Sequence, residues 1–458
     1  MFKTVLVANR GEIALRVIRT CQELGIRTVA VYSTPDRDSS AVRAADEAFH
    51  IGPADSRRSY LNPAAIIEVA LRAGAEAIHP GYGFLSEDPD FAEICRSHDI
   101  TFVGPPAEVT ARLGDKAVCR ALMADAGLPL LPGSTEPVGT AAEAVRLADD
   151  IGYPVIVKAT AGGGGRGMSV VRHRDDLPAE YTRTRRTAEV LFGDSSVYLE
   201  RFLEDARHVE IQVLCDTRGN FVHLGERDCS VQRRHQKLLE ETPAPGLPAD
   251  IVERMGAAAV AGARAIGFVG AGTFEFLVDG GGDFYFMEIN GRIQVEHPVT
   301  EAVTGLDLVG EQLRVASGLP ISTGPHEVPR RGAAIECRIN AEDPRRDFAP
   351  TPGVLEEFRP PGGPFTRVDS HAFAGMRITA DYDSLLAKLV VWGRDRDEAI
   401  ARAGRALAEF RVSGPGVRTT AGFLHDVLDQ PSFRAGRHNT ALVRQMLDAR
   451  PTGDQPPP

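Results

Sequence analysis

The chain commits itself to a parallel sheet within its first 32 residues. Thr4-Val-Leu-Val-Ala8 is an apolar run of strand length. Asn9-Arg10-Gly11-Glu12 then turn into a segment whose apolar positions Ile13, Ala14, Val17, Ile18 and Cys21 recur at helical spacing, and Gly25 ends it. Thr28–Tyr32 is a second strand. A helical crossover joins parallel strands, whereas antiparallel neighbours need only a hairpin. The unit predicts an open parallel α/β sheet. It lacks G-x-G-x-x-G, which argues against a dinucleotide site. The alternation continues through helix 63–73, strand Ala77-Ile78, the loop His79-Pro80-Gly81-Tyr82-Gly83-Phe84, helix 89–98 and strand Thr101–Val103.

Beyond residue 104 the pattern changes. A helix is expected around Asp115-Lys116, then a Pro/Gly-rich stretch to 138 marks a boundary. Helix 140–151, strand Val155–Lys158, a glycine loop and strand Met168–Val171 read as a small α+β lid. Strands dominate from Val197 to about Ile293, interrupted by helix 250–266. Residues 330–411 form another strand-rich unit with a closing helix at 395–410. The Pro-rich end reads as a disordered tail. A net charge of −11 argues against a nucleic-acid or anionic-membrane surface. No apolar run reaches the roughly 18 residues of a membrane span, and the start does not read as a secretory signal. Six scattered cysteines without C-x-x-C suggest neither zinc nor disulfides, so a reduced, cytoplasmic enzyme is expected.

Of 52 basic residues only Lys3, Lys116, Lys158, Lys237 and Lys388 are lysine. A chain that uses arginine wherever either cation serves keeps lysine where a compact point charge is needed. Lys158 precedes Ala-Thr-Ala-Gly162-Gly-Gly164-Gly165-Arg-Gly167, a run that can aim backbone N–H groups at phosphate or simply form a flexible hairpin. Lysine at the strand end favours a nucleotide. Thr273–Val278 and Phe284–Asn290 flank Asp279-Gly-Gly-Gly-Asp283; a two-residue Gly281-Gly282 turn sets Glu275 opposite Glu288. Facing carboxylates are either solvated or share a cation such as Mg²⁺, and the flanking phenylalanines favour the cation. If the chain stays extended, Glu288, Asn290, Arg292, Gln294 and Glu296 share one face and Ile289, Ile293 and Val295 the other. That row holds metal ligands, an anion clamp and a base; the alternative is an amphipathic edge strand. The basic run Gln232-Arg-Arg-His235-Gln-Lys237 is either a solvated loop or, in so acidic a chain, an anion-facing surface.

These motifs, with Asn9-Arg-Gly-Glu-Ile-Ala, His79-Pro-Gly-Tyr-Gly-Phe-Leu-Ser-Glu87, Gly114-Asp-Lys116, Arg292-Ile-Gln-Val-Glu-His-Pro298 and Glu336-Cys-Arg-Ile-Asn-Ala-Glu342, resemble biotin carboxylase, the ATP-grasp component of biotin-dependent carboxylases. The resemblance is collinear from residue 3 to about 445. It implies a pre-ATP-grasp domain at 1–114, an ATP-grasp domain at 115–328 with a lid at about 132–203, a strand-rich C-terminal domain at 329–445 and a tail at 446–458.

The resemblance also implies roles. ATP falls to Lys116, Lys158, Gly164, Gly165, Glu200, Arg201, Leu203, His208, Gln232 and His235. Mg²⁺ or Mn²⁺ falls to Glu275 and Glu288 with Asn290 beside them. Bicarbonate falls to Lys237, Arg292, Gln294 and the backbone of Val295, with Glu296 as general base. Biotin falls to Arg338 and Tyr82. Gly291 departs from the Thr or Pro more usual there, Ala161 shortens the glycine run and the 279–283 loop is one residue longer than usual. Two other readings share part of the pattern: a different ATP-grasp carboxylate–amine ligase and a non-catalytic assembly subunit. None of the five lysines has a methionine neighbour, as a biotin-bearing Met-Lys-Met turn requires. Biotin is therefore expected in trans on a biotin carboxyl carrier protein, with a separate carboxyltransferase, most simply in an acetyl-CoA or acyl-CoA carboxylase. A homodimer is implied by Arg16, Arg19 and Glu23 on the interface helix.

Overall fold

The computed structural model describes residues 1–134, 136–160, 167–324 and 328–449. The opening alternation forms a five-stranded, all-parallel sheet in the order Glu47–Gly52, Arg27–Ser33, Thr4–Val7, Ala77–His79, Thr101–Phe102. The helix Gly11–Glu23 buries Ile13, Ala14, Val17, Ile18 and Cys21, the five positions picked out by spacing. The helix expected around Asp115 is instead two helices, Ala107–Gly114 and Lys116–Asp125. The Asp115 carboxylate accepts from the N–H groups of Ala117 and Val118, a side-chain cap that starts the second helix.

The lid has a three-stranded sheet, Met168–Val171, Val155–Ala159 and Val197–Arg201, against helices Ala141–Ile151 and Leu177–Phe192. Its core of Val155, Val157, Val171, Val197 and Leu199 is separate from the others. The two strand-rich stretches share one eight-stranded antiparallel sheet. Its order is Phe284–Asn290, Gly270–Val278, Arg207–Cys215, Phe221–Arg233, Gln236–Thr242, Ala333–Asn340, Leu385–Gly393, Thr366–Ser370. Glu240 pairs with Glu336 across the join. Regular structure runs into the expected tail: the helix Leu442–Asp448 buries Leu442 and Val443 and packs Met446 and Leu447 on the C-terminal core. That apolar contact orders residues that composition grouped with the prolines that follow. Among the described residues no helix is long and apolar enough to cross a membrane.

Candidate active site

Glu275 does face Glu288, by a different route from the one expected. Val278 pairs with Phe284 and the Asp279 N–H donates to the Asp283 carbonyl, leaving a three-residue tip, Gly280–Gly282, with Gly282 at φ 88°. A longer tip shifts the register by one. The shift is undone between Glu275 and Phe276, where Met287 bulges out of the ladder. Phe274, Phe276, Phe284 and Phe286 are buried in the core.

Lys237 sits at the centre of the site. The hairpin carrying it turns on Arg234 and His235, both left-handed (φ 48° and 67°), and sets Gln232 opposite Lys237. The ammonium lies 2.6 Å from Glu210 Oε2, 2.6 Å from Glu296 Oε1 and 3.0 Å from Glu275 Oε1. Burial works against its charge, but these carboxylates, with the Cys229 thiol, hold its pKa well above the usual lysine value. Burial likewise opposes ionisation of Glu275, yet Lys237 and His208, whose Nε2 is 2.8 Å from Oε2, keep it below the usual range. Glu288 goes the other way, raised by burial and then by the charge of Glu275. Glu288 has no hydrogen bond or ion pair among the described residues, so the facing pair is short of positive charge on one side. A divalent cation fits that deficit and oxygen donor set. The Asn290 amide donates to Glu275 Oε1 at 2.9 Å, while its oxygen accepts from Arg292 at 2.9 Å.

The row expected to stay extended does so only to Asn290. The chain bends at Arg292, turns at Val295-Glu296 and enters the helix His297–Thr304, so Val295 is half-buried rather than core-facing. The bend folds the polar side chains over one another. Arg292 reaches Gln294 Oε1 at 3.0 Å and Glu87 Oε2 at 2.9 Å, and Gln294 donates to Glu275. Glu296 is fully buried, with Lys237 on one oxygen and Arg338 at 2.9 Å on the other. Burial opposes its charge, but Lys237, Arg338 and Arg227 hold it well below the carboxylate range.

The chain has relatives over almost its whole length. Residues 1–110 match the biotin carboxylase N-terminal domain, 115–323 the ATP-binding domain of the carbamoyl-phosphate synthase L chain, and 336–445 the biotin carboxylase C-terminal domain. A biotin carboxylase of Nostoc sp. is 53% identical over 97% of this chain and 99% of its own. The chain belongs to the biotin carboxylase family. A Campylobacter jejuni biotin carboxylase structure superposes with a TM-score of 0.94 at 45% identity, covering 97% of this chain and 99% of that one. The biotin carboxylase domain of a Hydrogenobacter thermophilus 2-oxoglutarate carboxylase, solved as a dimer with MgADP, ADP and bicarbonate, gives 0.93 at 46%, covering 97% and 98%.

Other residues singled out from the biotin carboxylase motifs are placed as follows. Lys158 Nζ lies 2.6 Å from Glu200 Oε2, and Arg120 pairs with the other oxygen of Glu200. Lys116, at the start of its helix, feels Glu288, Lys158 and Glu200, though burial has the larger effect and lowers its pKa. His208 and Gln232 are 3.4 Å apart on neighbouring strands, Leu203 is half-buried and Arg201 exposed. Gly164, Gly165 and Ala161 lie outside the described residues. The Tyr82 hydroxyl is committed to Glu12. A Cβ at Gly291 would stand 3.1 Å from Leu113 and 3.3 Å from Pro105, so these neighbours occupy the space a larger residue would need.

Sequence reasoning missed Arg120, Glu210, Arg227 and Glu240. Arg227, fully buried, bridges Glu210 Oε1 at 2.6 Å and the Gln212 oxygen at 2.8 Å. Glu240 contacts Arg338. One signal was available: His208-Val-Glu210-Ile-Gln212-Val alternates polar and apolar at period two, a polar face inside an apolar sheet.

Proposed function

We propose that this chain uses ATP and bicarbonate to carboxylate biotin on a separate carrier protein, the first half-reaction of an acetyl-CoA or broader acyl-CoA carboxylase. One observation carries the reading: a fully buried Glu296 clamped between Lys237 and Arg338, beside the Glu275–Glu288 pair. Lys237, Arg292, Gln294 and the Val295 backbone hold bicarbonate. As the anion draws on Lys237, Glu296 loses part of the attraction that keeps it a weak base, and it takes the bicarbonate proton. The freed oxygen attacks the γ-phosphorus, ADP leaves, and carboxyphosphate forms. Lys116, Lys158 and Lys237, with Gly164 and Gly165, neutralise the phosphoryl oxygens. Glu200, Arg201, Leu203, His208, Gln232 and His235 hold the rest of the nucleotide. Mg²⁺ held by Glu275 and Glu288, with Asn290 alongside, supplies further positive charge. Carboxyphosphate splits to CO₂ and phosphate, the phosphate removes the ureido N–H proton, and the biotin nitrogen attacks CO₂. Arg338 steadies the ureido oxyanion, with Tyr82 at the biotin side.

Free biotin should elicit ADP release that also requires bicarbonate and disappears in Glu296→Gln. ADP release driven by another carboxylate–amine pair instead would place the chain with other ATP-grasp ligases. A folded chain releasing none would make it an assembly subunit. The lysine contexts support a carrier in trans, and a streptavidin-reactive band after co-expression with a biotin ligase would overturn it. The carboxyltransferase is a separate partner and sets the final acceptor. A cytoplasmic homodimer completes the reading. Arg19 and Glu23 are exposed and Phe365 is 61% exposed, whereas Arg16 is spent within the chain on Glu301 and Asp307. Sedimentation as a monomer at assay concentration would remove the dimer.

A further inference from the structure

Lys388 is the one lysine beyond the N-terminal Lys3 that the motifs left without a task. It is fully buried in the strand Leu385–Gly393. Its Nζ donates to the Val295 carbonyl at 2.9 Å and lies 3.0 Å from Glu12 Oε1. Glu12, 3% exposed on the helix Gly11–Glu23, also accepts from the Tyr82 hydroxyl. Asp369 and Arg338 pair with Lys388 from the strands on either side. Three parts of the fold, the N-terminal helix, the C-terminal strand and the loop after Asn290, thus meet on one ammonium.

We infer that Lys388 is a positioning residue that aims the Val295–Glu296 peptide at bicarbonate. The Val295 carbonyl belongs to the peptide that leads into Glu296. Pinning that oxygen orients both the Val295 backbone on one side and the Glu296 carboxylate on the other. A charged donor suits the task, because a buried charge-assisted hydrogen bond is short, strong and directional. Glu12 keeps the ammonium from being an unpaired buried charge, and Lys388 does the same for Glu12. The inference rests on the proposed carboxylation.

Lys388→Met alone strands the Glu12 charge and would test stability more than position. The informative comparison is between the double variants E12Q/K388M and E12Q/K388Q, in which both charges of the pair are removed together. Gln and Met are nearly the same length, but only Gln can donate toward the Val295 carbonyl. E12Q/K388M should lose roughly 10- to 100-fold in kcat for biotin-dependent ADP release. Its affinity for a non-hydrolysable ATP analogue and its Tm should match those of E12Q/K388Q. E12Q/K388Q should recover a measurable part of the loss. Equal turnover in E12Q/K388M and E12Q/K388Q would overturn the inference and leave Lys388 a counter-charge only. No biotin-dependent ADP release from the unaltered chain would overturn the functional reading as well.

Discussion

Lys158 in the lid and Lys237 in the central sheet are both largely buried lysines, yet their surroundings are built oppositely. Lys158 has one carboxylate, Glu200, and shares it with Arg120. Two cations on one anion leave positive charge to spare, which suits a group that meets phosphate. Lys237 has three carboxylates of its own, Glu210, Glu275 and Glu296. Its excess anion is balanced by Arg227, His208 and Arg338, which favours the ionised form across the cluster. The scaffolds differ as well. The lid's three strands close over a separate small core, whereas Lys237 is locked between strands of the eight-stranded sheet. A unit with few shared contacts can open and close as ligand comes and goes.

The largest effect that would test this contrast is at Lys237. Lys237→Met leaves three buried carboxylates without their shared cation and should cost about 3–5 kcal/mol of stability, read as a drop in denaturation midpoint, with turnover abolished. Lys237→Arg keeps the charge but puts a planar fork where an ammonium touches three oxygens. It should fold and lose roughly tenfold or more in kcat. Wild-type kinetics in that variant would show that compactness is irrelevant here.

Glu296→Gln comes next. The amide keeps the shape and cannot accept a proton, so turnover should fall on the order of 10²-fold while ATP binding by calorimetry is retained. Lys158→Met should be milder, because Arg120 still neutralises Glu200. An ATP KM raised roughly tenfold with a stability change within about 1 kcal/mol is expected. A stability loss as large as that of Lys237→Met would erase the distinction between the two lysines.

The smallest effect is a slope in pH. Glu240 is fully buried, and burial pushes its carboxyl up from 4.5 to about 7 against the pull of Arg338. A carboxyl with a raised pKa stabilises the fold while protonated. Its contribution is complete below about 4.5 and is lost as pH rises through about 7. Glu240→Gln should remove that loss, so the variant should gain on the unaltered chain between pH 5 and 8 by about 3 kcal/mol at most. Parallel stability curves for the two proteins would show that Glu240 is ionised throughout.

The legible parts of the sequence are those governed by neighbours along the chain. Spacing alone located the first helix, its five buried apolar positions and the parallel strands it joins. Residue chemistry marked Lys116, Lys158 and Lys237, and counting from an expected turn put Glu275 opposite Glu288. That pairing was reached through a two-residue turn that does not form; a longer tip and a bulge at Met287 cancel, because the pleat can absorb one extra residue at a time. The polar row after Asn290 was read as a continuing strand, whereas the chain bends at Arg292, where Gly291 and Arg292 bond to Glu87, a contact no local pattern announces.

Other features were decided only by the tertiary structure. Arg120 meets Glu200 from 80 positions away, and Lys388 meets Val295 from 93. Arg227, Glu210 and Glu240 look, in sequence, like any charged residue on a strand. Glu210 as partner of Lys237 and Arg227, and Glu240 as partner of Arg338, depend on which strands become neighbours in the eight-stranded sheet. Local periodicity records which face a residue takes, since that is set by backbone geometry within a few residues. Which buried charges end up neutralising one another is set by long-range strand pairing, and that cost is met only when the whole sheet assembles.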